Sequence, residues 1–139
     1  MSQKEPATTA TITSVADHAL GQKLRVAGRL LAYDPPACLC IVDNKDAALL
    51  VDLTLCADTW ILEALQGCVM ITGYLEKFDN AIPQSLLAAH NAATQLHQGI
   101  VLKALLARAT PEMDINLWDH AVRETHEGTG QQERGPNSG

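Results

Sequence analysis

KLRVAGRLLAYD, residues 23–34, is the stretch on which the fold turns. Leu24, Val26, Gly28 and Leu30 alternate with Arg25, Ala27 and Arg29. A period of two is the signature of a strand with one face on a core and the other towards water. Asp34-Pro35-Pro36 then ends the run, because proline lacks the donor a central strand needs and presets a turn. ACLCIVDN resumes as a second strand, Ala37 to Asp43, and Asn44-Lys45-Asp46 makes a short hairpin loop into AALLVDLTL, a third. Three antiparallel strands in a meander are the frame from which the rest is read.

Downstream the period changes. Trp60, Ile61, Ala64 and Leu65 share one face of a short helix that stops at Gln66-Gly67. GCVMITGYLEKF returns to strand, with Val69, Ile71, Gly73 and Leu75 inward and Met70, Thr72 and Tyr74 outward; the glycine inside it predicts a bend or bulge. Asn80 to Ser85 reads as a turn, and the Ala-rich LLAAHNAATQLHQ fits a helix or a hairpin arm, with the helix favoured. GIVLKALLARAT is the fifth strand, expected to turn Ile100, Leu102, Ala104 and Leu106 to the core and Lys103 outward. The class is therefore all-β, and five strands with a helix between the third and fourth is the order of the OB-fold, a Greek-key barrel.

The last element is a C-terminal amphipathic helix over 114–127. Asp114 caps it, Pro111 precedes it, and Ile115, Trp118, Ala121, Val122 and Thr125 form one stripe. Asp119, Arg123 and Glu124 lie off that stripe and read as the polar rim of an interface. A closed barrel buries its own inward faces, so a stripe bearing Trp118 needs the barrel's outside or another chain to cover it. The five stripe residues are the expected partner interface.

The 139 residues suit one domain, with 47% apolar, 19% charged and 4% aromatic residues, a globular composition. Residues 1–10 and the Gly/Ser/Gln/Pro-rich 128–139 are expected to be disordered, leaving one OB-fold domain over 11–127. The first residues carry neither the basic nor the apolar part of a secretory signal, and no run approaches about 18 apolar residues, so an intracellular protein with no membrane association is expected. Cys38, Cys40, Cys56 and Cys68 lie in apolar runs and read as reduced, buried thiols.

A net charge of −6 argues against a stand-alone nucleic-acid binder, which needs clustered Lys and Arg. Lys23, Arg25 and Arg29 nevertheless share a strand face, and Tyr33 and Tyr74, with Phe78, are the available stacking rings, so these cations and the two tyrosines are candidates for DNA or partner contact. Cys38-x-Cys40 has no second pair at zinc spacing, so no metal is expected. His18, His90, His97, His120 and His126 are scattered, and no hydrolase or phosphate-binding motif occurs. Neither catalysis nor a cofactor is expected.

Two segments resemble a known family. LRVAGRLLAYD matches a Leu-Arg-x-x-Gly-Arg-Leu and Tyr-Asp pattern, and VLKALLARATPEMDINLWDHAVRE matches a Val-x-Lys-Ala strand, a Met-Asn/Asp helix start and an Ala-Ile/Val-Arg-Glu end. Ser14-Val15 also fits a short segment leading into the barrel. The pattern is that of the smallest subunit of the telomere-capping CST complex, itself similar to the smallest subunit of replication protein A. The long 79–98 segment departs from the family's compact form. The resemblance implies a nuclear protein of chromosome ends that pairs, helix against helix, with the OB domain of the middle CST subunit. With the large subunit it would hold single-stranded telomeric DNA through the complex and assist telomere replication. A replication protein A-like subunit and an autonomous single-strand binder are the alternatives.

Overall fold

The computed structural model describes residues 6–90 and 94–125. Alternation carries Lys23–Asp34 (β2) through twelve residues, with Leu24, Val26 and Leu30 at most 1% exposed. Leu39–Asp43 (β3) and Ala47–Asp52 (β4) follow as antiparallel neighbours. Asn44 makes their turn: its Oδ1 accepts from the Asp46 and Ala47 amides at 2.8 and 2.7 Å. Trp60–Ala64 (α1) leads into Cys68–Lys77 (β5), and Ile100–Ala109 (β7) completes the long strands. β2 pairs with β5 as well as β3, and β7 joins β5 antiparallel and β4 parallel. The five long strands thus close into a mixed barrel in the order first, second, third, fifth, fourth. Its interior is filled by Leu24, Val26, Leu30, Leu49, Val51, Val69, Ile71, Leu75 and Leu102.

Two bulges redirect side chains and correct the strand reading. Opposite Thr72 and Gly73 the pairing of β5 with β7 slips by one residue, so that Thr72 faces Leu106 while Gly73 faces Ala104. An extra residue reverses the faces of everything beyond it. Leu106, expected in the core, is 69% exposed, and Ala107 packs inward in its place. The bend expected at Gly73 is present, with the additional residue carried by the partner strand. The second slip, between Leu30 and Ala32, turns Tyr33 against the barrel interior.

The amino-terminal boundary moves as well. Thr8–Thr9 (β1) pairs parallel to β2, Ala10 is fully buried and its amide bonds to the Arg25 carbonyl, so order begins within the segment expected to be disordered. The strand edge offered by Leu24 and Arg25 explains it, since unpaired backbone groups recruit any extended neighbour. Residues 1–5 and 126–139, which include the last two positions of the helix expected over 114–127 and the whole expected tail, lie outside the described residues.

The 79–98 segment resolves into Gln84–Ala89 (α2) and Gln95–Leu96 (β6), the latter parallel to β4. α2 packs against β2 and β6 lies along β4, and between them Leu39, Ile41, Ala48 and Leu50 join Leu86, Leu96 and Val101 in a second apolar cluster outside the barrel. Every residue of β3 is buried, Cys40 and Val42 by the barrel interior and Leu39 and Ile41 by the outer cluster. Residues 115–125 form the last helix, α3. Among the described residues no helix is long and apolar enough to cross a membrane.

Candidate partner and nucleic-acid interface

Asp114 starts α3 as a capping residue, its Oδ1 accepting from the Asn116 and Leu117 amides at 2.9 and 3.3 Å. The helix shares one cleft with Arg29, Asp43, Asn44 and Lys45 at its start, through Ile115 and Asn116. It shares another with Thr9, Arg25, Met70 and Arg108 further along, through Trp118, Ala121, Val122 and Thr125. Ala27, on the outward face of β2, is fully buried, and it lies between Arg25 and Arg29, each of which shares a cleft with α3.

What fastens α3 differs from the rim expected of Asp119. Asp119 is 5% exposed, and its Oδ2 accepts from Asn44 Nδ2 at 3.0 Å, while the same Asn44 nitrogen reaches Thr13 Oγ1 at 3.1 Å. One face of the helix, Asp119 and Val122, therefore rests on the chain's own barrel. Burial raises the Asp119 carboxyl above the usual carboxylate range, against the pull of Asn44 and Arg123. The helix pattern carries no sign of this, because Asn44, seventy-five residues earlier in the chain, supplies the partner.

Trp118 is half-buried, while Ala121 and Thr125 are exposed. Together with Met70, Arg25 and Arg108 they line a cleft of about 450 Å³. A second hollow of about 420 Å³, lined by Arg25, Met70, Thr72, Leu106, Ala107 and Arg108, continues it over the outer face of β2, β5 and β7. Leu106, which lines this hollow, is 69% accessible, and Leu117 of α3 is 66% accessible.

Strand register orders the expected contact residues. Lys23 faces Tyr74, which faces Lys103; Arg25 faces Thr72; Ala27 faces Met70, which faces Arg108. Arg25 Nε approaches Thr72 Oγ1 at 3.4 Å. Arg29 is held by Asp43 through two bonds of 3.2 and 3.1 Å, a bidentate pair whose carboxylate is buried, so its charge is largely spent within the chain. Tyr33 lies apart from this face, in a hollow with Pro35, Ala57, Asp58 and Leu62. Lys103 and Arg108 join the face because β7 pairs with β5.

The cysteines show no metal arrangement. Cys38 sits in the turn before β3 with φ +57°, so it does not alternate with Cys40 on a strand. Among the described residues no group of three His, Cys, Asp or Glu side chains could hold an ion. All four thiols are free, and burial pushes Cys40 well above the ordinary thiol range.

No protein-family profile matches the sequence, and no curated protein does. Solved structures do. A chain of the S. pombe Stn1-ten1 complex superposes with a TM-score of 0.65 at 16% identity, over 89% of this chain and 95% of that one. The telomere capping protein Ten1 from S. pombe gives 0.62 at 18%, over 88% and 99%. A chain of U. maydis replication protein A bound to ssDNA gives 0.58 at 13%, over 89% and 93%. At these identities the likeness is one of architecture: the chain has the OB-fold, similar in extent to these telomere-capping and replication proteins.

Proposed function

We propose that this chain is a non-catalytic small subunit of a CST-type complex, which pairs through α3 with the OB-fold middle subunit and works at telomeres in the nucleus. The observation that carries the reading is the cleft in which Trp118, Ala121 and Thr125 stand against Met70, Arg25 and Arg108. A partner helix laid along α3 would cover the indole and the methionine, and the two arginines would fix its register against acidic groups. Ile115 borders the start of the same face, and Val122 anchors α3 from beneath. The likeness to a chain of the Stn1-ten1 complex, nearly end to end in both chains, supports the same choice. In this reading the large subunit and the telomeric single strand are met through the assembly, where Lys23, Arg25 and Tyr74 supply the remaining contact face.

The likeness to a replication protein A chain favours a second reading, a small subunit of that kind. Co-expression with the OB-fold middle subunit of a CST complex, and separately with the middle subunit of replication protein A, distinguishes them by gel filtration. Co-elution with the first alone is expected. Co-elution with the second alone, or with neither, overturns the proposal.

A further inference from the structure

OB barrels hold single-stranded nucleic acid on the outer face of their second and third strands, bordered by the loops between strands one and two and between strands four and five. In this chain those strands are β3 and β4, and the loop between strands four and five is the 78–99 segment. That loop does not border the face. It folds across it, and Ile41, Ala48 and Leu50 beneath are at most 1% exposed.

The cover is fastened at both ends and at its middle. Phe78 and Ile82 pack against the cluster at one end, and the Phe78 amide bonds to the Gly99 carbonyl at 2.9 Å. In the middle Leu86 of α2 is fully buried. At the other end β6 adds to β4, with the His97 amide on the Ala48 carbonyl at 3.0 Å and the His97 ring against the Ile12 carbonyl at 2.7 Å. Ser85 reaches back to Asp34 with a bond of 2.7 Å.

What lies beneath decides between a lid and a wall. A single strand is gripped by cations along its backbone and by rings under its bases. The opposed positions on this face are Leu39 with Asp52, Ile41 with Leu50 and Asp43 with Ala48, four aliphatic side chains and two carboxylates, so these six supply neither a cation nor a ring. Opening it would expose apolar surface and return neither phosphate pairing nor stacking, so an oligonucleotide has no differential affinity with which to drive the opening.

We propose that residues 78–90 and 94–97 are a permanent internal occupant of the barrel's nucleic-acid face, so that single-stranded DNA never enters it in this protein. The proposal is independent of the telomeric reading, because it concerns the barrel whatever complex holds it.

The test is methyl NMR on the full chain with labelled Ile and Leu, using a soluble nitroxide and then an oligothymidylate single strand at low salt. The nitroxide is expected to broaden Leu106 and Leu117 and to leave Ile41, Leu50 and Leu86 sharp. The oligonucleotide is expected to leave the last three unshifted, whether or not it shifts methyls on β2, β5 or β7. Broadening of Ile41, Leu50 and Leu86 comparable to that of Leu106 would overturn the proposal, as would their progressive shift with added oligonucleotide. Failure to pair with a CST subunit would leave these readouts unchanged, so the two ideas fail separately.

Discussion

Leu86→Ala should destabilise the whole barrel, although α2 is only six residues long. Leu86 is fully buried among Ile41, Leu50 and Leu96. Burying a leucine is worth about 1.5–3 kcal/mol, and truncation to alanine adds a cavity penalty near 24 cal/mol per Å³, giving about 2–5 kcal/mol in ordinary cores. A short helix tethered at both ends can settle partly into the space, so the lower part of that range, about 2–3 kcal/mol, applies. Against a total stability of about 5–15 kcal/mol this is a large fraction. It corresponds to a fall in Tm of about 10 °C for a domain of this size. Leu87, the next residue, is 42% exposed, and Leu87→Ala should stay within about 0.5 kcal/mol. Urea unfolding followed by tryptophan fluorescence compares the two at equal m-value. Equal, small losses for both variants would refute the packing argument, because α2 would then contribute nothing to the core.

Gly73→Ala should cost about 1–3 kcal/mol, since its new Cβ would meet the Lys103 carbonyl and Ala104 backbone across the bulge; a thermal melt matching the parent would contradict this. Asp119→Asn bears on pH. Desolvation raises the folded carboxyl pKa above its unfolded value, so stability is greatest below the unfolded pKa and declines as pH rises through the folded one. The asparagine variant should therefore melt higher than the parent at pH 7 and converge with it in acid, whereas a lower melt at pH 7 would show that the charge stabilises. The isolated chain should bind single-stranded DNA weakly at physiological salt, given its net charge of −6; micromolar affinity in a fluorescence anisotropy titration would oppose that.

Much of the barrel was legible because its strands obey local periodicity. The first strand's bounds, Lys23 and Asp34, agree between pattern and structure, as does the Asn44-Lys45-Asp46 turn. Asp114 caps as its chemistry requires. The failures share a cause: each depends on a distant segment. Leu106 and Tyr33 changed faces at bulges, which arise from how two strands pair rather than from either alone. Asp119 is inward because Asn44 reaches it. The cover over β3 and β4 did leave a trace, since LCIV and AALLV are apolar at consecutive positions, the mark of a strand buried on both faces. The candidate face was half legible: Lys23, Arg25 and Tyr74 fall together, whereas Lys103 and Arg108 needed the strand order.

The claim that α3 carries the partner is tested most directly by Trp118→Ala, measured by capture of the OB-fold middle subunit alongside thermal unfolding of the isolated variant. Asp119 and Val122 hold the helix to the barrel, whereas Trp118 lines the cleft, so the barrel should remain folded. Removing an aromatic anchor from an interface centre costs about 2 kcal/mol or more, so capture should weaken about thirtyfold or further. A lowered melting temperature with capture intact would contradict the account, because Trp118 would then serve only its own barrel.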